Sequence, residues 1–194
     1  LPYKDASQLK MMGEKTYNYY TAWRPISVYI NGQYFGLYEL REKYDPELFE
    51  VLDSASEDSM DILSLSAFYG FVLRAVTGSV DSFWSSYDAF KTISPADTAC
   101  WTKADKYFDM MYYNDYIIAE SWMGNVDWPG NNIKIYRSDK TDFRWRFCLI
   151  DQELALLPNS WTDCYFDHIS YLQSLGDYFP YTDIWNRGMQ NPRF

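Results

Sequence analysis

Asp127 and Asn132 stand five positions apart in the Pro-Gly loop Asn125-Val126-Asp127-Trp128-Pro129-Gly130-Asn131-Asn132, and a second carboxylate, Asp151, follows Asp127 by 24 positions. Between Asn132 and Asp151 the chain reads as two strands, 133–137 and 143–150, turning at 138–142. Antiparallel strands bring the chain back to its starting point, so residues flanking a hairpin become neighbours. An amide oxygen and a carboxylate so placed suit a hard divalent cation, and Asp127 beside them could steer a hydroxyl group. The chemistry open to this set is phosphoryl transfer. Asp151 would bind Mg2+ or Mn2+ bridging nucleotide phosphates, and Asn132 would add a neutral oxygen to a metal. Asp127 would accept or orient the proton of the attacking hydroxyl. Glu153 would be a supporting ligand or an outer acid. Lys134 and Arg137 lie on the first strand, within reach of a phosphate or, the preferred reading, as solvated strand residues.

Other readings of the same residues stay open. Asn-rich loops often serve only as turns, through side chain to backbone bonds, and Asp151 could cap a helix. Asp151 nevertheless follows Phe147-Cys148-Leu149-Ile150, a run apolar enough to be a buried strand. A carboxylate at the edge of a core needs a compensating partner, either a metal or a basic side chain.

Several elements must hold these residues. A helix over 102–123 is expected, with Tyr107, Met110, Met111, Asn114, Ile117, Ile118 and Trp122 on one buried face. Asp105 falls in its first turn, where the helix dipole favours it, and Gly124 ends it. Residues 5–20 read as a short helix. Ile26, Val28 and Ile30 show strand alternation, and Asn31-Gly32 is a hairpin signal with a return strand over 33–40. Pro46 starts a helix through Phe49 and Leu52. Residues 62–76 read as helical or mixed, and Ser79 caps a helix through Phe83, Tyr87 and Phe90. Ser94-Pro95-Ala96-Asp97 is a turn. Beyond Pro158 the chain is aromatic and loop-rich, with a helix near 184–189.

Composition narrows the classes. At 194 residues the chain suits one domain. The formal charge of −10, from 17 basic and 27 acidic residues, offers no basic stripe to a nucleic acid. His168 is the sole histidine, which excludes a histidine-cluster metal site and leaves little room for Ser-His-Asp chemistry; it reads as a structural residue. Cys100, Cys148 and Cys164 form no CxxC pair, and one disulfide remains open. No run approaches the ~20 apolar residues of a membrane span. Nineteen Tyr and eight Trp fit an extracytoplasmic or surface protein. No signal peptide is read. The opening at Leu1-Pro2 and the close at Asn191-Pro192-Arg193-Phe194 read as those of a piece of something longer, which leaves room for a targeting segment elsewhere.

The chain resembles the spore coat protein H (CotH) kinase family, an atypical protein-kinase-like family. The resemblance is carried by three blocks. One is Val28-Tyr29-Ile30-Asn31-Gly32-Gln33-Tyr34-Phe35-Gly36-Leu37-Tyr38-Glu39-Leu40-Arg41-Glu42-Lys43. The second is the 125–132 loop with Ile135-Tyr136-Arg137. The third is Trp145-Arg146-Phe147 leading to Asp151. The segment 188–194 also looks like a later family segment. The resemblance implies an α+β, protein-kinase-like fold. A mostly helical large lobe, 44–194, would carry the catalytic-loop β-hairpin. Residues 1–43 would be a partial, truncated small lobe with its hinge, all within a single 1–194 domain fragment. It assigns Asp127 the catalytic-loop role and Asn132 and Asp151 the metal roles. It makes Leu40–Lys43 the hinge beside adenine, with Glu42 and Lys43 as nucleotide-binding residues. The family commonly shows Asp-Leu-Asp where this chain has Asp151-Gln152-Glu153. The phosphate-binding lysine and glycine-rich loop have no counterpart ahead of Lys4, and Lys4, Lys10 and Lys15 are not on a convincing strand.

The expected function is ATP- and Mg- or Mn-dependent phosphoryl transfer to Ser or Thr hydroxyls of a secreted or surface protein, with a spore coat among the expected locations. The alternatives are a pseudokinase or structural surface module, and a carbohydrate-binding domain whose rings would line a groove at Trp128, Trp161 and Trp185.

Overall fold

The computed structural model describes residues 4–156 and 167–193; Trp161 and Cys164 lie outside the described residues. Helix α1 spans Lys4–Gly13, shorter than the 5–20 expected. Strands β1 (Trp23–Ile30) and β2 (Gln33–Arg41) follow as an antiparallel hairpin. Asn31 at φ 51° and Gly32 at φ 80° supply the two left-handed residues that a two-residue turn of this hand requires. The hairpin stands clear of the core, leaving Tyr29, Tyr34, Phe35, Leu37 and Leu40 exposed. Helix α2 runs Pro46–Asp53, opened by proline and by the Asp45 carboxylate accepting from Leu48 N at 3.1 Å.

A four-stranded antiparallel sheet contains β3 (Met60–Leu65), β4 (Arg74–Thr77), β5 (Ile133–Ser138) and β6 (Arg146–Cys148), in the order β4-β3-β5-β6. Both faces are covered at β3 and β5, while the edge strand β4 is largely exposed. Leu63, Leu65, Ile133, Ile135 and Phe147 enter the main core with the helices. Met60, Ile62, Tyr136 and Cys148 face the other way, against Tyr44, Leu48 and Phe49. The Phe49 ring stacks on Tyr136 with centroids 3.6 Å apart. Residues 62–76 are mixed, one of the two forms expected: the end of β3, a 3-10 turn at Ala67–Tyr69, and β4. In β3 the adjacent Ile62 and Leu63 are both fully buried, on opposite faces, so the strand lacks the apolar–polar alternation of a half-exposed one, and periodicity alone does not separate it from a buried helix.

Helix α3 (Val80–Lys91) is capped by Ser79, as expected. The helix expected over 102–123 is two: α4 (Cys100–Ala104) and α5 (Met110–Met123). Asp105 causes the break, since its carboxylate accepts from Met110 N at 2.9 Å, and Asp109 then caps α5. The buried face of α5 is also rotated from the expected one. Met110, Tyr113, Ile117, Glu120 and Met123 point inward, while Met111, Ile118 and Trp122 are exposed. Strand β6 is shorter than the 143–150 expected. Asp142 and Phe143 take left-handed φ of 54° each, and Leu149 N bonds Tyr19 O at 3.0 Å instead of continuing the ladder.

Helices α6 (His168–Leu175) and α7 (Pro180–Gly188) complete the described chain; the sequence reading missed α6. The fold is α+β, with seven α-helices and two antiparallel sheets among the described residues. No described helix is long and apolar enough to cross a membrane. Cys100 and Cys148 are buried free thiols, and His168 is buried, its pKa lowered chiefly by that burial.

Candidate active site

Helix α5 ends at Gly124, whose φ of 61° turns the chain out of the helix. The loop that follows is anchored by Trp128, fully buried with its ring edge-on to Tyr116 at 5.9 Å. Trp128 N donates to Asn125 O at 3.3 Å and Asn131 N to Asp127 O at 3.1 Å, closing two successive turns. Asp127 is half-buried between them. Its Oδ2 accepts from Asn131 Nδ2 at 2.7 Å and from Asn132 Nδ2 at 2.8 Å. The structure therefore brings Asp127 and Asn132 into contact. Two amide donors on one oxygen fix the carboxylate plane and leave Oδ1 directed elsewhere.

The β5–β6 hairpin returns the chain as the sequence requires, with Lys134 opposite Cys148 and Ile135 opposite Phe147. Asp151 lies just past it in a left-handed conformation, φ 45°, as does Asn132 at φ 54°. Such backbone is uncommon outside glycine and gathers at functional sites. Asn125 Nδ2 donates to Asp151 O at 3.3 Å, tying the end of the hairpin to the start of the loop. Burial pushes the Asp151 carboxyl pKa up, and the charges of Asp5, Glu153 and Asp127 push the same way. The backbone amide of Glu153 opposes this by bonding the carboxylate. Glu153 itself is exposed.

Among the described residues no lysine or arginine forms an ion pair with Asp127 or Asp151. Lys4, near Glu153, spends its ammonium on the carbonyls of Glu153, at 3.2 Å, and of Ala155. Nor do three or more His, Cys, Asp or Glu side chains converge into a metal cluster among the described residues. An oxygen set for a cation here would have to count the Asn132 amide. Two carboxylates with an amide oxygen, half-buried and without a basic partner, fit a hard divalent cation in chemistry.

Behind the loop lies a network that the sequence reading did not find. Glu120, in the last turn of α5, is fully buried. Its Oε2 accepts from Asn125 Nδ2 at 3.0 Å and from Gln152 Nε2 at 2.9 Å. One buried carboxylate thus holds the residue that opens the loop and the neighbour of Asp151. Desolvation raises its pKa from 4.5 to about 8, against the two amide bonds, with Asp151 and Asp5 adding to the rise. Asp5 of α1 accepts from Gln152 N and pairs with Arg41 of β2, joining the hairpin's base to the same point. The signal for Glu120 was its spacing, three and seven residues after the buried Ile117 and Tyr113. The wrong choice of α5 face hid it. The loop sequence gives Asn131 no distinct role, because its bonds to Asp127 and to Ala67 N arise only from the folded turn.

Glu42 and Lys43 stand elsewhere. Glu42 Oε2 accepts from Ala22 N at 2.8 Å and its own N–H donates to Ala22 O at 3.0 Å, clamping the hairpin's base. Both residues are exposed. No hydrogen bond or ion pair joins either to Asp127, Asn132 or Asp151 among the described contacts. Arg137 is not a solvated residue. Its Nε pairs with Asp61 at 2.7 Å and its guanidinium lies 4.6 Å from the Trp145 ring centroid. Lys134 is half-buried, and that burial lowers its pKa. Trp128 belongs to the core and Trp185 packs partly buried against it, so neither forms an open stacking platform for a sugar.

A family model described as CotH kinase protein matches residues 11–194. No curated protein matches the chain. The match takes in the 28–43 block, the Asp127 loop and the hairpin to Asp151, which are the segments that carry the resemblance in sequence. By that match the chain belongs to the CotH kinase family.

Proposed function

We propose that this chain transfers the γ-phosphoryl group of ATP, with Mg2+ or Mn2+, to Ser or Thr hydroxyls of a secreted or surface protein, a spore coat among the settings. The observation that carries this reading is the pairing of Asp127 Oδ2 with the amides of Asn131 and Asn132, at 2.7 and 2.8 Å, on a loop bonded through Asn125 to Asp151. Asp151 and Asn132 would hold the cation, with Glu153 in support, and the cation when bound would offset phosphate charge. Asp127 Oδ1 would take the proton of the attacking hydroxyl while its partner oxygen stays fixed by the two amides. Trp128 and Glu120 keep the loop from moving as this happens. Residues 1–43 correspond in this reading to part of a small lobe, with Glu42 and Lys43 at the hinge, and 44–194 to a large lobe.

One observation favours a catalytically silent module with the same fold: the Lys4 ammonium is bound to the backbone carbonyls of Glu153 and Ala155, and among the described residues no lysine or arginine forms an ion pair with Asp151. Nucleotide binding and transfer separate the two readings. Asp151→Ala is expected to remove metal-dependent ATP binding, and Asp127→Ala to spare binding and stop transfer. Transfer by either variant at the wild-type rate defeats the assignment, and nucleotide binding without transfer by the wild type, measured in the full protein, favours the silent module.

A further inference from the structure

A cavity of about 670 Å³ opens beside the Asp127 loop, with Gly130 in its wall. The rest of its lining is mostly apolar and comes from three places: Leu65 at the end of β3 with 70–73 beyond it, Phe83 and Trp84 on α3, and 178–181 at the start of α7. Phe83 and Tyr181 in its lining belong to the buried core, whereas three other rings reach solvent. Phe71 is 57% exposed, Trp84 41% and Tyr178 74%. The loop after β3 is tied to the candidate site by a single side chain. Asn131 donates to Asp127 through Nδ2 and accepts from Ala67 N through Oδ1 at 2.6 Å.

We propose that this cavity receives an aromatic or large aliphatic side chain of the acceptor polypeptide, a few residues from the hydroxyl that is phosphorylated. The inference rests on the phosphoryl-transfer reading above and adds to it a substrate class. The occupant follows from position. Gly130 is three residues from Asp127, and an extended polypeptide advances ~3.3 Å per residue. Asp127 and Gly130 share one tight turn, closed by Asn131 N on Asp127 O at 3.1 Å, so the cavity wall lies within a few residues' reach of a chain whose hydroxyl meets Asp127. The volume falls in the range of pockets that enclose a ligand group, and removing such a side chain from water favours binding. No residue of Leu40–Lys43, the segment read as the nucleotide hinge, lines the cavity.

The test uses synthetic peptides with one Ser in an Ala/Lys background and a single Phe moved from four residues before to four after it. They are assayed with Mn2+ and ATP against the wild type and against a Phe71→Ala/Tyr178→Ala double variant, both sites being exposed enough to spare the fold. Phe at one favoured position is expected to lower peptide KM roughly tenfold or more. The double variant is expected to erase that preference with KM for ATP unchanged. Transfer that ignores the position of Phe, or a preference that survives in the double variant, overturns the pocket and leaves phosphoryl transfer standing. Absence of both transfer and ATP binding removes the reading itself. Direct titration then decides the pocket, with the Trp84 signal isolated by subtracting a Trp84→Phe variant. A saturable response to the Phe peptide, lost in the double variant, supports it. The absence of a saturable response to the Phe peptide, or self-association abolished by the double variant, overturns it.

Discussion

Glu120 and Gln152 share a 2.9 Å hydrogen bond from Gln152 Nε2 to Glu120 Oε2, while the second carboxyl oxygen of Glu120 and the amide oxygen of Gln152, both Oε1, are buried with no hydrogen-bond partner among the described residues. Two orphan acceptors facing no donor are costly. A proton on Glu120 Oε1 turns one of them into a donor, in keeping with a carboxyl pKa raised to about 8. The loop that carries Asp127 is thus braced by a neutral acid at ordinary pH.

The pH dependence of stability follows from that brace. Unfolded, the carboxyl titrates near 4.5; folded, near 8. Below 4.5 both states hold the proton and the contribution of the group is complete. Between the two values only the folded state holds it, so stability falls as pH rises, and the loss is finished above about 8. The gap corresponds to roughly 5 kcal/mol. Glu120→Gln keeps shape and neutrality without the proton. Urea denaturation across this pH window is expected to show the wild type losing stability relative to Glu120→Gln as pH rises. Parallel curves for the two proteins would refute a buried neutral acid.

Ligand-linked stability tests the oxygen set. A ligand that binds the native state at a hundredfold over its Kd stabilises by about 2.7 kcal/mol. Mn2+ with ATP should raise the wild-type Tm. Asp151→Asn should lose nearly all of that rise, because the charge that attracts the cation is gone. Glu153→Gln should keep most of it, since Glu153 is exposed and its backbone amide, not its carboxylate, bonds Asp151. An equal shift in wild type and Asp151→Asn places the cation elsewhere.

Asn131 joins Asp127 to Ala67 by bonds of 2.7 and 2.6 Å, so its removal acts on transfer and on the loop after β3 together. Asn131→Ala loses both bonds and should cost about 2 kcal/mol of stability. Transfer should fall by roughly ten- to a hundredfold through kcat, with KM for ATP unmoved. Asn131→Asp, which keeps the acceptor for Ala67 but faces Asp127 with a like charge, should impair transfer more than it impairs folding. A rise in KM for ATP in both variants would make Asn131 a nucleotide contact instead.

How much could be read without coordinates varied with the kind of interaction. Local signals were sufficient where a turn or cap is set by its own residues: Asn31-Gly32, Ser79, Pro46 and Gly124 each did what their types require. The hairpin bringing Asn132 and Asp151 back towards one place was legible because its register follows from alternation. The break at Asp105–Asp109 was not, because it depends on one carboxylate choosing the Met110 amide over a helical place. The α5 face was misjudged because Met111, Ile118 and Trp122 are apolar and exposed, which periodicity counts as buried. Glu120 and Asn131 matter through partners far along the chain or across a loop, and composition carries no trace of such pairs.

Arg137 separates a phosphate contact from a structural one. It pairs with Asp61, which also accepts from Ser79 N at 2.6 Å and Ser82 Oγ at 2.8 Å, so one aspartate joins β5 to the start of α3. The pair is mostly shielded, and its guanidinium lies on Trp145. Loss of one partner leaves Asp61 under-compensated close to the core. Arg137→Gln is therefore expected to destabilise by about 2 kcal/mol, as partly buried pairs do when broken, with KM for ATP unchanged. Removing the charge and its partner together, in Arg137→Gln/Asp61→Asn, should recover part of that loss in a double-mutant cycle. A rise in KM for ATP in Arg137→Gln at unchanged stability would return this arginine to the phosphate.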